Sequence, residues 1–396
     1  MGAALLDVAV SPLFIWSTFT DVLSRELAVA TPSLSVVFAV ALALFTTGVL
    51  VGGRLADAVP PRSLALVTAA GVVAGLVLCA LASSVPVLLL GFGVVLGLAT
   101  GVGYGTAVRV AGTVDSRRGR AVALVVSAYA AGAVVLAPIA AWLLGAVGRA
   151  GTFLVLAAGL GLVLLGAAVL LPGAAATRDG ARAGPAAAAA NGGSADAASA
   201  DSSAGHDAAD RSARPVTARH SVGALWVLFS LGSLPALVAF AHAGEFAGDP
   251  ALVVAAVALL NAGNVIGRLV AGPLADVVGY PMMLHGTAFV LLVALLALLP
   301  DGMPMLALPA LFALGAQYGA LSVLTPVATA DAVPAARFGT TYGVVFSGWG
   351  VAGLAGPVAA AALVTHAGHA VLVGALAGVG VCAWLAVSWV TRLSTP

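Results

Sequence analysis

Long runs without any charged side chain dominate this chain and restrict what it can fold into. The segments 64–81 and 286–299, for example, contain no Asp, Glu, Lys or Arg. Alone or with flanking residues, such runs are long enough to cross the roughly 30 Å hydrocarbon layer of a bilayer. Only 8% of the 396 residues are charged, whereas soluble domains are about one quarter charged. The sequence therefore predicts a polytopic helical membrane protein.

Charges, prolines and glycine clusters divide the apolar residues into two sets of six predicted spans. They lie near residues 4–25, 35–56, 62–82, 86–108, 120–143 and 150–171, and near 221–243, 251–273, 281–299, 304–327, 338–362 and 368–391. The residues between the sets are rich in Ala, Gly, Ser and Asp, which predicts a disordered cytoplasmic linker. The predicted domains are a six-helix bundle at 1–171, the linker at 172–220 and a second bundle at 221–396.

The distribution of arginine predicts the orientation of the chain. With a cytoplasmic N-terminus, thirteen arginines face the cytoplasm, Arg25 and Arg149 lie outside, and Arg268 lies within span 8. Cytoplasmic loops of membrane proteins carry such an excess of basic residues, so both termini are expected inside a plasma or inner membrane. The net charge of +1 and the absence of a basic arm give no indication of a nucleic-acid partner.

Three short motifs recur in the two sets of spans. GGRLAD (52–57) recurs as AGPLAD (271–276), GVGYG (101–105) recurs as GAQYG (315–319), and Pro138 has its counterpart in Pro357. The order is the same and the offsets are 214 to 219 residues, which indicates duplication of a six-helix unit. Parallel repeats of this kind flank a central binding site in transporters.

The GxLAD element after spans 2 and 8 resembles the signature loop of the major facilitator superfamily. This resemblance implies an all-α membrane protein with twelve transmembrane helices in two bundles, which moves a solute by alternating access. The aspartate of that loop caps a helix and latches the bundles, so Asp57, Asp276 and the remaining loop cation Arg62 are gating candidates. The glycine–arginine pair that usually follows is degraded after Asp57, and only Gly279 is kept after Asp276.

Arg268 is the residue that most needs an explanation. A permanent cation at a helix centre costs roughly 2.5–3.5 kcal/mol on insertion scales and usually faces a wet cavity or a counter-charge. The duplication places Val49 at the matching position of the first half. A structural role common to both halves predicts two cations, so the asymmetry favours function. The alternative is that Arg268 snorkels to the headgroups.

A narrower resemblance links the chain to the oxalate/formate antiporter family and the monocarboxylate transporters. It is carried by segments 115–139, 263–280 and 338–360. It implies that Arg268 binds a substrate carboxylate, with Asn264 standing where the monocarboxylate branch commonly has aspartate. The oxalate exchanger has a lysine in helix 11 where this chain has Trp349, so a solute with one carboxylate fits better than oxalate.

Further polar and aromatic residues within the spans complete the predicted site. The substrate-binding candidates are Arg268, Asn264, Trp349, Tyr342, Tyr104, Tyr318, Gln317 and Trp16. Asp7 and Asp21 are candidates for coupling to an ion or proton, because fourteen residues are nearly four helical turns and put both on one side of span 1. For each of these residues, ordinary packing or a solvated helix end is the alternative.

Together these observations predict a secondary transporter of small organic monocarboxylates of the pyruvate, lactate or formate type. It is expected to act as an anion exchanger or a proton symporter, as a monomer and without a cofactor or metal. The alternatives are an efflux pump for amphipathic compounds, with a structural Arg268, and a membrane sensor of organic acids that does not transport. No catalytic constellation points to an enzyme.

Overall fold

A computed structural model describes residues 1–114, 116–173, 204–247, 250–300 and 303–394, and within these ranges the regular elements are all helical. The first-half helices are Gly2–Ala9, Pro12–Ile15, Ser17–Leu27, Thr31–Ala58, Pro61–Leu81, Val85–Leu88, Leu89–Leu96, Gly97–Gly112 and Arg118–Leu170. The second-half helices are Ala204–Ala247, Pro250–Leu252, Val253–Val278, Tyr280–Ala297, Pro304–Ala332, Ala335–Arg337, Phe338–Ala367 and His369–Ser394.

The predicted twelve spans are confirmed, although helices and spans do not correspond one to one. Among the described residues, ten helices are long and apolar enough to cross a membrane. The 53-residue helix Arg118–Leu170 contains spans 5 and 6, because Gly148 adopts φ 69° there and bends the chain. The bent pair Gly2–Ile15 and Ser17–Leu27 forms span 1. Counting the helix Arg118–Leu170 as two spans and the bent pair as one span gives twelve spans.

Span 1 is broken, which corrects the expectation for its two acidic residues. The segments on either side of Trp16 meet at 44°, and a short 3₁₀ turn, Pro12–Ile15, precedes the break. Proline lacks the N–H that a continuing helix needs. A four-turn periodicity therefore does not hold from Asp7 to Asp21, and the two carboxylates do not share one straight helical face.

The helix that forms span 7 starts earlier than the apolar pattern predicts. It runs from Ala204 to Ala247, so residues 204–220 of the predicted linker are helical. Alanine and arginine, which are frequent in 204–220, have high helix propensity. Residues 174–203 of the predicted linker lie outside the described part of the chain.

The two halves repeat the same packing of glycine on backbone. In the first half, Gly48 and Gly52 of span 2 face the backbone of span 4 at Leu98 and Val102. In the second half, Gly263 and Gly267 of span 8 face the backbone of span 10 at Phe312 and Ala316. Small residues allow such close helix approach in membranes, and the correspondence agrees with the duplication seen in the sequence.

Candidate functional site

Asp57 joins the first half to the second at one end of the interface between them. Its carboxylate accepts hydrogen bonds from the N–H groups of Gly339 (3.0 Å) and Thr340 (2.7 Å) at the start of span 11. A carboxylate at a helix N-terminus satisfies unpaired N–H groups and complements the positive end of the helix dipole. Asp57 is therefore a cap supplied across the interface, and we call this end of the protein the latch end.

Asp276 makes the equivalent contact in the opposite direction. It accepts hydrogen bonds from the N–H groups of Gly119 (2.8 Å) and Arg120 (3.0 Å) at the start of span 5. An exposed ion pair between Arg118 and Asp331 (3.3 Å) adds a third contact between the halves. The two aspartates of the repeated GxLAD element thus cap one helix each in the other half.

The cation that contacts Asp57 is Arg109, whereas Arg62, the predicted gating-loop cation, lies elsewhere. Arg109 Nε lies 3.0 Å from Asp57 Oδ1, whereas the Arg62 side chain is exposed and lies near Gly173. Arg109 is at the end of span 4, 52 residues from Asp57 in sequence, so no local pattern marks it. The second latch has Val323 at the position that corresponds to Arg109.

Glycines allow spans 2 and 11 to meet along the latch half of the interface. Gly53 faces the Gly339 carbonyl, and a Cβ built on Gly343 lies 2.9 Å from Leu50 Cα. Further from the latch end, Gly350 faces the side chain of Thr46. Backbone meets backbone at Gly53 and Gly343, so any side chain larger than hydrogen at these two positions separates the helices.

Arg268 is buried at the interface and is held by both halves. Its residue surface is 7% exposed. Nε donates to Asn264 Oδ1 (3.0 Å) on its own helix, and Nη1 donates to the Val126 carbonyl (2.7 Å) of span 5 in the other half. The guanidinium carbon also lies 5.9 Å from the centre of the Tyr318 ring. The side chain points between the bundles and does not snorkel to the membrane surface.

Four of the five tyrosines gather near Arg268. Trp349 Nε1 donates to the Tyr318 hydroxyl (2.8 Å), and the Tyr104 and Tyr342 hydroxyls lie 3.4 Å apart across the interface. Tyr129 lies 5.2 Å from Tyr104, measured between ring centres. The structure therefore brings the predicted residues Tyr104, Tyr318, Tyr342 and Trp349 together with Arg268.

Asp7 is the second charged residue of this region. It is completely buried, and both carboxylate oxygens lack a hydrogen-bond partner among the described residues. Its charge lies within electrostatic range of Arg268, and both charges act on Tyr104, Tyr129 and Tyr342. Asp7 belongs to the first half and Arg268 to the second, so the two opposite charges of the region come from different bundles.

The described contacts of three other predicted residues are outside this group. Gln317 Nε2 donates to the Gly232 carbonyl (3.2 Å) within the second half; it is turned by one residue, about 100°, from Tyr318 on the same helix. The ring of Trp16 packs 4.3 Å from that of Phe92, inside the first half. Asp21 is exposed, and its backbone carbonyl accepts from Arg25 Nε (3.1 Å).

On the face of span 8 that carries Arg268, burial decreases with distance from the latch end. Arg268 and Gly272 of span 8 are buried against span 5. Asn261 lies two turns further from the latch on the same face, yet it is exposed, and its Nδ2 donates to the Val257 carbonyl of its own helix (2.8 Å). The polar residues Asn261, Asn264 and Arg268 therefore lead from an exposed position to a buried one.

The comparisons with known proteins agree with this architecture. The sequence matches the family description "Major Facilitator Superfamily" over residues 2–241. No curated protein matches it. A crystal structure of the human organic anion transporter MFSD10 (TETRAN) is similar, with a TM-score of 0.66 at 16% identity, over 98% of this chain and 97% of that one. The proton:xylose symporter XylE, bound to 6-bromo-6-deoxy-D-glucose, has a TM-score of 0.68 at 14% identity, over 97% of this chain and 94% of that one. At these identities the likeness shows the fold.

Proposed function

The chain belongs to the Major Facilitator Superfamily, and from this premise we propose that it carries small organic monocarboxylates by proton-coupled alternating access. Arg268 supports this proposal most directly. It is a buried cation between the two halves, where a solute bound to it contacts both bundles. A guanidinium has five N–H donors, and two hydrogen bonds hold Arg268 in place, so donors remain for a carboxylate.

The role of Asn264 follows from its contact with Arg268. The amide oxygen accepts from Nε, so Asn264 aims the guanidinium without neutralising it. In the monocarboxylate transporters that this segment resembles, an aspartate commonly stands there. Since the amide carries no charge, the positive charge of Arg268 stays available for a solute with one carboxylate.

Asp7 is the proposed proton carrier. A fully buried carboxylate without hydrogen-bond partners among the described residues is costly as an anion, because desolvation is not offset by any donor. Binding a proton removes that cost. Asp7 also lies within range of Arg268, so a carboxylate that binds to Arg268 makes the negative charge of Asp7 less favourable. Solute binding and proton binding thereby support each other.

Charge balance predicts how the two steps combine. When Asp7 is ionised, the empty site contains its negative charge and the positive charge of Arg268, and its net charge is zero. A site with a protonated Asp7 and an anion on Arg268 is also neutral. A site that contains only one of the two ligands has a net charge, and burying an uncompensated charge is unfavourable. We therefore expect one proton to move with one monocarboxylate.

The orientation in the membrane follows from the arginine distribution. The latch end carries Arg54, Arg109, Arg118 and Arg337, and basic residues concentrate on the cytoplasmic side. We propose that the latch end faces the cytoplasm in a plasma or inner membrane. The described conformation is then closed to the cytoplasm, with the exposed Asn261 on the outer side.

Uptake into proteoliposomes tests the proposal. Labelled lactate should accumulate when the outside is more acidic and should stop accumulating when a protonophore removes the gradient. Arg268→Gln should abolish uptake, whereas Arg25→Gln, the same change at an exposed position of the outer end, should leave it intact. Asp7→Asn should abolish gradient-driven accumulation while it preserves exchange of labelled for unlabelled lactate.

Each result has a distinct meaning. Lactate uptake that survives Arg268→Gln would show that Arg268 is structural, as expected for an efflux pump of amphipathic compounds. Uptake that does not depend on the pH gradient but requires an anion inside the liposomes would identify an exchanger. Asp7 would then not be the proton carrier. Gradient-driven accumulation by Asp7→Asn would place the proton site elsewhere.

A further inference from the structure

An aromatic cluster divided between the two halves bears on which acids the site selects. The first half contributes Phe45 and Tyr104, and the second contributes Phe346 and Trp349. The ring centres lie 5.3 Å apart for Tyr104 and Phe346, 5.9 Å for Phe45 and Phe346, and 6.2 Å for Phe45 and Trp349. These separations are typical of favourable aromatic pairs. Rings from both bundles therefore meet at the interface.

The cluster is continuous with the proposed anion anchor. The Tyr318 ring lies 5.9 Å from the guanidinium carbon of Arg268, and the Tyr318 hydroxyl accepts from Trp349 Nε1. Trp349 in turn lies 5.0 Å from Phe346, measured between ring centres. A carboxylate bound to Arg268 thus has a wall of aromatic rings beside it, and the wall leads directly into the contact between the halves.

The size of the solute decides how much of this wall it uses. Formate or lactate on Arg268 has at most two further carbon atoms and no ring, so it leaves the cluster largely untouched. An acid with an aromatic ring reaches the cluster with its apolar body while its carboxylate stays on the guanidinium. Each ring-on-ring contact adds about 0.5–1.5 kcal/mol beyond the area that it buries.

We propose that the site selects monocarboxylates with an aromatic ring over formate and lactate. This inference rests on the proposed function, because it requires Arg268 to hold the carboxylate. The ring of the solute displaces the contacts that Phe45 makes with Phe346 and Trp349 and takes their place, so that it contacts both halves at once. The aromatic cluster then acts as the specificity-determining part of the site, and Arg268 acts as the anchor common to all its ligands.

Binding measurements on the purified full-length protein test the inference. Dissociation constants are measured by titration calorimetry for lactate, phenylacetate and cyclohexylacetate. Phenylacetate should bind at least tenfold more tightly than lactate, and cyclohexylacetate should fall between them. Trp349→Leu should reduce the difference between phenylacetate and lactate to less than threefold. Trp142→Leu is the matched control, since Trp142 is 71% exposed and should have no effect.

The outcomes separate this inference from the proposed function. Suppose that lactate binds as tightly as phenylacetate and that Arg268→Gln abolishes the binding of both acids. The proposed selectivity is then refuted, whereas the role of Arg268 in binding the carboxylate is supported. If cyclohexylacetate equals phenylacetate, the site recognises apolar bulk, and the aromatic assignment is overturned. If Arg268→Gln leaves phenylacetate binding intact, the ring binds without an anchor, and the proposed function fails. A melting temperature and a size-exclusion profile that match those of the parent protein show that Trp349→Leu is folded.

Discussion

Replacing Gly53 with alanine should open the latch end. A Cβ built on Gly53 lies 2.8 Å from the carbonyl carbon of Gly339, whereas ordinary contact begins at 3.4 Å. Both sides of this contact are backbone, so no rotamer change relieves it. Spans 2 and 11 must therefore separate by at least 3.4 − 2.8 = 0.6 Å. Alanine has a higher helix propensity than glycine, so the helix itself is not weakened.

The same displacement determines the energetic effect. A shift of 0.6 Å along the Asp57 contact lengthens the bond from the Gly339 N–H from 3.0 to 3.6 Å, beyond the hydrogen-bond limit. A hydrogen bond to a charged group contributes about 1.5–3 kcal/mol. Since 1.4 kcal/mol corresponds to a factor of ten, the ratio of closed to open protein should fall by roughly ten- to a hundredfold.

Distances between spin labels at the latch end measure this change. The labels are placed at Arg62→Cys and Arg337→Cys, which are exposed positions on opposite halves, after Cys382→Ala removes the exposed native cysteine. Gly53→Ala should move the distance distribution toward longer values. Gly145→Ala is the control, because nothing lies within 4 Å of its built Cβ. Equal distributions for both variants would refute the claim that the glycine contact permits closure.

Three further predictions concern other contacts of the two halves. Asp57→Asn should lengthen the same label distance more than Asp276→Asn does, because Asp57 also accepts from a span 4 arginine. Arg149→Gln should lower the melting temperature by several degrees relative to Arg25→Gln. The reason is that Arg149 donates to two carbonyl groups at the end of span 3, and each such bond contributes about 1.5–3 kcal/mol. Asn264→Leu should weaken monocarboxylate binding roughly tenfold without abolishing it, in line with the loss of one hydrogen bond to a charged group, and calorimetry measures the change.

The sequence predicts the spans and the importance of Arg268 because both depend on burial costs that a residue type reveals. A charge within an apolar helix is visible without coordinates, and so is a run long enough to cross a bilayer. The partners of that charge are not visible. The Val126 carbonyl that accepts from Arg268 is a group that every residue has, and Arg109 reaches Asp57 from a different helix.

Helix breaks and helix rotation explain the predictions that do not agree with the structure. Asp21 is separated from Asp7 by a 44° bend, which the periodicity of a straight helix does not take into account. Gln317 is adjacent to Tyr318 in sequence, but one residue turns the side chain by about 100°, and its amide bonds within the second half. Two residues that are adjacent in sequence therefore lie in the same span, but they need not face the same site.

The duplication itself indicates where function was added to the scaffold. Ser11 and Ser230 are 219 residues apart, both donate to a carbonyl of the preceding turn, and they face Gly132 and Gly348 respectively. With this register, the counterpart of Asp7 is Trp226, just as the counterpart of Arg268 is Val49.

Each half thus contributes one charge at a place where the other half has none. The two aspartate caps recur in both halves, whereas the two charges do not, which agrees with the proposal that the charges bind different ligands. Neither bundle alone contains both the cation and the carboxylate. The proposed site is therefore complete only while the two halves face each other, and under that condition the proposed binding of a proton and of an anion would act on the same conformational change.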